Sequence, residues 1–275
     1  MATITRDAKL ISRHPPASRA VPFREKISAF VRTTRATSLA LLGGILAWEI
    51  AGHVLQFSFL PPFSAALNAM WRMTLSGEIP RNIFASLTAL FIGYALAVCV
   101  GVPLGLVMGR YRKVDYALDS YLTILLASPS ILFVPILFSI FGTSRLTQIT
   151  LVFLYAFIII TVNARSGIKT VDSSHVEMAR SFGASERQIF SRILLPGALP
   201  MIMAGLRLGM GRGVRAMING EMLIVLIGMG ALLRQYGSRF DAASVYGLLL
   251  VVIGIALLCT STIQWIEQRV TRWTM

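Results

Sequence analysis

Apolar residues fall in six long blocks separated by short polar stretches. A helix needs about 20 mostly apolar residues to cross the hydrocarbon core of a bilayer. The pattern predicts membrane-spanning helices over Ser38–Leu55, Ile83–Met108, Tyr121–Phe141, Thr147–Asn163, Pro200–Ile227 and Ala243–Ile266. The fifth block is the least apolar, because Arg207, Arg212 and Arg215 fall in its first half. The expected fold class is all-α: an integral membrane protein with six transmembrane helices over residues 38–275, preceded by a basic tail over residues 1–37.

Composition excludes the soluble alternative. Hydrophobic residues make up 55% of the 275 and charged residues only 14%, against about 45–50% and about 25% in soluble domains. The mean hydropathy of +0.71 leaves too little polar surface to cover a water-soluble globule. Cys99 and Cys259 both lie inside apolar blocks, with no ligand cluster or disulfide framework around them.

The net charge of +14 is explained by where the cations sit. Lys and Arg number 18 on the side holding both termini, the Arg110–Ser120 loop and the long loop over residues 165–199. The opposite side has 5. Cytoplasmic loops carry the excess of Lys and Arg, so both termini are expected in the cytoplasm. No aromatic-interleaved basic patch accompanies the charge, so no nucleic-acid partner is expected. In the tail, Ile27, Phe30 and Val31 share one helical face between Arg24, Lys26, Arg32 and Arg35, the pattern of an interfacial helix on the inner leaflet.

The loop over residues 165–199 is built of helix signals. Ser174 and Glu177 have capping-box spacing, and the helix they open is expected to stop at Gly183. Ser185 and Gln188 form a second such box, opening a helix expected to end at Leu195-Pro196. The result is a two-helix knob. By spacing alone it reads equally as a structural hairpin or as a docking element.

The residues in this knob resemble a known family. Glu177-Met178-Ala179, then Gly183, then Ile193-Leu194-Leu195-Pro196 is similar to the EAA signature of permease subunits of bacterial ABC importers, with Met178 where Ala is usual. Leu46-Ala47-Trp48-Glu49, Leu60-Pro61-Pro62, Gly101-Val102-Pro103-Leu104-Gly105 and Gly220-Glu221-Met222-Leu223 resemble the nitrate/sulfonate/taurine branch. The resemblance implies a type I importer fold in the bacterial inner membrane. It also implies a second copy of the chain, two ATP-binding subunits and an extracytoplasmic substrate-binding protein as partners. Glu177, Met178, Ala179, Gly183, Ile193, Leu195 and Pro196 would then form the ATPase-coupling site. No Gly-x4-Gly-Lys-Ser/Thr loop is present, so the chain is expected to be no enzyme and to hold no cofactor, ATP and Mg belonging to the partner.

An ionisable group inside a span costs about 2.5–3.5 kcal/mol on the insertion scale and needs a reason. Glu49 and His53, four apart on the first span, are expected to pair locally or to snorkel to the interface. Arg212, Arg215 and Asn219 recur at i, i+3 and i+7, within about 60° on a helix. They are assigned, with Glu221, to a substrate path for a small anion: a sulfonate, taurine, nitrate or an organic carboxylate. A structural network to Glu221 or to the partner copy is the other reading. The family usually has Trp at the position of Val214 and apolar residues at those of Arg215 and Asn219, so this chain's path would be wider and more basic. Two functions from other classes compete with an importer moving solute by alternating access. A secondary transporter driven by an ion gradient should show inverted repeats, and none is evident between the halves. A membrane enzyme should gather its histidines, yet His14, His53 and His175 are scattered.

Overall fold

The computed structural model describes residues 23–223 and 227–271, with side chains from residue 38 onward apart from Ser130. Residues 1–22 of the basic tail lie outside the described residues. The rest of the tail continues the first helix, α1 (Phe23–Leu55). It is followed by α2 (Phe63–Leu75), α3 (Glu78–Arg110), α4 (Arg112–Ala127), α5 (Phe133–Phe141) and α6 (Arg145–Lys169). Then come α7 (Ser173–Ser181), α8 (Glu186–Ile189), α9 (Leu195–Leu223), α10 (Met229–Ser238) and α11 (Ala242–Val270). All of these elements are helical, as expected for an all-α membrane protein.

Among the described residues five helical stretches are long and apolar enough to cross a membrane: Ser38–Leu55, Glu78–Arg110, Arg145–Lys169, Glu186–Leu223 and Ala242–Val270. The expected third span, Tyr121–Phe141, is not one helix. It breaks after Ala127 at Ser128-Pro129, passes through one 3-10 turn over Ser130–Leu132, and restarts as α5. Pro129 has no N–H to continue the ladder, and it drives Ser128 into the extended conformation observed (ψ 133°).

The core is a three-helix stack of α3, α6 and α9, made possible by small residues on facing sides. Gly93 of α3 lies against Ile149 and Val152 of α6, Gly101 against Phe157–Thr161, and Gly109 against Arg165 and Ile168. Higher numbers meet higher numbers, so α3 and α6 run parallel. On α9 the order is reversed: Gly205 faces Asn163 and Ile160, Gly209 faces Ile160, and Gly220 faces Leu151. A Cβ at Gly105 would stand 2.5 Å from the Thr161 carbonyl and one at Gly205 2.5 Å from Asn163 Cβ. Glycine therefore sets the helix spacing here, as small residues do where there is no hydrophobic drive between helices in lipid. Leu90, Val152, Ile160, Met210 and Met217 fill the layer between the three.

At one end, α2 and α10 pack beside the start of α11 around Met73, Ile79, Met229, Leu232 and Leu248. Neither α2 nor α10 is marked by the six apolar blocks; both fall in stretches expected as loops. Trp48 fastens α1 to this layer, its indole N–H donating to the Pro61 carbonyl at 3.0 Å and its ring meeting Phe63 and Tyr246 at 5.2 and 5.4 Å. The main partner of Glu49 is not His53, whose ring nitrogen is 3.6 Å away. Its carboxylate accepts from the Ser64 N–H at 2.9 Å and the Ser64 hydroxyl at 2.7 Å. Pro62 at the start of α2 has no capping side chain, so Glu49 satisfies an orphan donor of that helix from outside it.

Candidate functional site: a helical knob and a polar helix face

The knob forms with one change in its first cap. Asp172, not Ser174, caps α7, its carboxylate accepting the Ser174 N–H at 2.9 Å. That hydrogen bond holds the Asp172 carboxyl below the usual carboxylate range. Ser174 thus lies inside the helix, and Glu177 is freed from capping and stands exposed. The helix closes as expected at Gly183, which takes φ +78°. The Gly183 N–H bonds to the Arg180 carbonyl at 2.9 Å and the Ala184 N–H to the Ala179 carbonyl at 3.0 Å, the paired bonds of a Schellman ending. The capping box of Ser185 and Gln188 is present in both directions.

The second arm does not end at Leu195-Pro196. From Glu186 the helix continues to Leu223, passing through one π-helical turn at Phe190–Leu194. The wider turn brings the Leu195 N–H to the Phe190 carbonyl, five residues back. An α ladder would instead jam the ring of Pro196 against the Arg192 carbonyl, which the π turn relieves. The knob and the fifth span are therefore one continuous rod.

The residues expected to form the coupling site divide by face. Glu177 and Met178 are exposed on α7 with Phe182, which is 85% exposed. Ala179, Val176, Phe190 and Leu195 pack inward on Ile168, Ile189, Leu194 and Ala198. Ile193 and Pro196 are half-buried beside them. Thus the EAA residues combine an anionic and apolar outer face with an inner face seated on α6 and α9.

Ion pairs that span periodicity does not reveal fasten this assembly. Glu186 pairs with Arg110 at the end of α3 and with Arg180 of α7 at 3.0 Å. Asp115 at the start of α4 pairs with Lys169 at 2.5 Å and with Arg165, which also reaches Asp119. Burial would raise the Asp115 carboxyl, but Lys169 and Arg165 outweigh it and hold the group below the carboxylate range. The sequence shows opposite charges flanking the blocks; only the packing shows which ones meet.

On α9, Arg215 and Asn219 are exposed and Arg212 is half-buried. Among the described residues the Arg215 guanidinium has one hydrogen bond, donated to the Gly211 carbonyl of its own helix at 3.3 Å. Arg212 lies beside Leu125, Ser128 and Phe133, at the break between α4 and α5. Glu221 is placed elsewhere. It is fully buried, accepting the Gly230 N–H at 2.8 Å with the Gln148 amide 3.5 Å away. Its carboxylate fills the space against Gly228, which adopts φ +132°. Glu221 therefore holds the turn into α10 and does not share the open face of Arg215 and Asn219. Arg207 is also accounted for, paired with Glu267 of α11 at 3.3 Å.

The described residues form a bundle of membrane-length helices carrying a capped two-helix knob, the build of a helical membrane protein. Residues 101–272 match the family of binding-protein-dependent transport system inner membrane components, and the chain belongs to that family. It is 28% identical over 264 residues to the taurine transport system permease protein TauC of Escherichia coli strain K12, covering 93% of this chain and 94% of that one. The aliphatic sulfonates permease protein SsuC of the same strain, a protein whose assignment is provisional, is 29% identical over 84% of this chain and 89% of its own. A solved chain of the MetNI methionine ABC transporter, in inward-facing conformation, shares the fold with a TM-score of 0.62 at 20% identity, covering 74% of this chain and 98% of that one. The protein is thus a multi-pass inner membrane permease subunit of an ABC importer. It is not itself catalytic and carries no cofactor, ATP being bound by a partner ATPase. The ion-gradient reading is thereby set aside.

Proposed function

We propose that the chain works as a homodimer with two ATPase subunits and a binding protein, importing a small anion by alternating access. The cargo is a sulfonate, taurine-like or nitrate-like solute, or an organic carboxylate. The observation that carries the reading is the open face of α9. Leu208, Arg215, Asn219 and Met222 are exposed along one side of a helix whose other sides are packed. An unpaired Arg facing hydrocarbon costs about 2.5–3.5 kcal/mol, so this face is best satisfied by a watery path closed by a second copy. Two such faces, one per subunit, lower the barrier to an anion in a low-dielectric channel. Relatives named for taurine and sulfonate transport support an anionic group on the cargo.

The chain crosses six times with both termini in the cytoplasm, and α4 with α5 makes the third crossing. Parallel α3 and α6 support this, since the chain must return between them. The division of Lys and Arg supports the orientation. Residues 38–275 form the permease domain and residues 165–199 its coupling loop, with residues 1–37 a cytoplasmic extension. The ATPase takes the face of Glu177, Met178 and Phe182, while Gly183 supplies the turn and Ala179, Ile193, Leu195 and Pro196 transmit the motion. The rod over Glu186–Leu223 has 38 residues, about 57 Å at 1.5 Å each, and joins knob to path without a hinge loop.

The test is ATP-dependent uptake in proteoliposomes holding permease, ATPase and binding protein, with labelled taurine, an alkanesulfonate and nitrate as cargoes. Arg215→Leu should slow uptake about tenfold, with assembly unchanged, and Arg215→Lys should retain part of the rate because charge survives. Full activity in Arg215→Leu would overturn the path assignment.

A further inference from the structure

A second feature of the knob lies where its second arm meets α3. A cleft of about 620 Å³ opens between the end of α3 and α8. Its walls are apolar: Pro103, Leu106 and Val107 from α3 and Phe190 from the π turn. It is continuous with a stripe up α3, where Leu96, Val100, Pro103 and Val107 recur at i, i+4, i+7 and i+11 and are all exposed. An exposed apolar stripe on a membrane helix is chemically matched to acyl chains.

The lip of the cleft is cationic beyond what its own carboxylate balances. Glu186 is shared between Arg110 and Arg180. Arg187, also at the lip, has no ion pair among the described residues. Two guanidiniums therefore share one carboxylate while Arg187 stands beside them without one, and Arg112 and Lys113 follow Arg110-Tyr111 in the chain. The Arg110 guanidinium further lies 5.8 Å from the centre of the Tyr111 ring, which leaves this cation partly over an aromatic face.

We infer that this cleft binds one anionic phospholipid of the inner leaflet, its phosphate at Arg187 and Arg110 and an acyl chain along Val107, Pro103 and Val100. A lipid is the fitting occupant because the cleft joins an apolar stripe of membrane depth to excess positive charge at the cytoplasmic boundary, and basic pockets between helices on that side suit anionic headgroups. The site touches both α3 and the knob's second arm, so occupancy would brace the rod where it enters the membrane. The inference rests on the cytoplasmic placement of the knob proposed above.

The test uses the detergent-solubilised importer complex incubated with equal amounts of phosphatidylglycerol and phosphatidylcholine, followed by native mass spectrometry. The wild type should retain phosphatidylglycerol in preference. Arg187→Gln should lower that preference about fivefold, the effect of one cation near an anionic surface, and Arg187→Lys should keep it. Val107→Trp, which fills the cleft, should reduce retention of both lipids. Inorganic phosphate in excess should not displace the lipid. Equal retention of the two lipids, retention unchanged in both Arg187→Gln and Val107→Trp, or displacement by phosphate alone would each overturn the lipid site. A disulfide joining two copies through Val107→Cys would assign the cleft to the second copy and overturn it too. The orientation is read separately, by an impermeant maleimide on Lys113→Cys in a Cys99→Ala, Cys259→Ala background. Labelling from outside the cell would overturn the orientation, whereas the retention ratio in detergent decides the site.

Discussion

Glu221 sits with no exposed surface among Gly228, Gly230 and Gln148, where the N–H of Gly230 donates to it at 2.8 Å. Two further donors in this turn have their own acceptors: the Gly228 N–H bonds to Asn82 Oδ1 at 2.7 Å and the Met229 N–H to Ser86 Oγ at 3.0 Å. The start of α10 is therefore held by side chains of α3 and α9, since Gly228 itself offers none. A buried N–H left unpaired costs about 1–3 kcal/mol. Glu221→Ala should lower the melting temperature of the solubilised permease accordingly, while Glu221→Gln, which keeps an acceptor, should lose much less. Thermal unfolding followed by tryptophan fluorescence reads the difference. Equal stability of Glu221→Ala and wild type would remove Glu221 from this role.

At the scale of elements, the knob and its ties behave as separable devices. Among the described residues the Glu177 side chain makes no hydrogen bond or ion pair, so Glu177→Lys should leave folding intact and lower ATPase co-purification or coupling about tenfold or more. Gly183 has open space around it but a left-handed φ. Gly183→Val should cost about 1–2 kcal/mol by backbone strain alone, displacing α7 from its seat and lowering coupling as well. Pull-down of the ATPase and the ratio of solute moved to ATP consumed are the measurements. The tie between α4 and α6 has a pH signature. The Asp115 carboxyl is held below its ordinary value in the folded state, so it contributes stability that is present above the unfolded pKa of about 3.9. That contribution is lost as pH falls through the lower folded value. Thermal stability of the solubilised permease should drop below about pH 4, and the drop should be shallower in Asp115→Asn.

For the whole molecule, the open face of α9 is the deciding feature. A single chain leaves Arg215 and Asn219 without a wall opposite them, and no loop among the described residues covers them. The importer should therefore isolate as two copies of this chain with two ATPases, read directly by native mass spectrometry. A stable, transport-active assembly with one copy would contradict the proposed path. The same geometry predicts that Asn219→Cys pairs readily across the two-fold axis, since both copies present one face of one helix.

Some of this was legible from residue order alone. Crossing a bilayer demands unbroken apolar length, so five of the six expected blocks appear as membrane-length helices. Caps and stops are local as well: the Ser185 box and the turn at Gly183 depend on residues three or four apart, and both formed as expected. The family followed from the same local spacing in the EAA segment. Other features depend on what packs against what. The break at Ser128-Pro129 lies inside an apolar run that hydropathy reads as continuous. The π turn carries the helix past Pro196, where sequence predicts an end, because α6 packs against α9 along its length. Glu49 takes Ser64 as its main partner beside the expected contact with His53, and Glu221 finds the turn into α10, because helix ends fifteen and nine residues away present bare N–H groups at those places. Residue order fixes which groups must be satisfied inside a membrane, whereas only the close approach of distant helices decides what satisfies them.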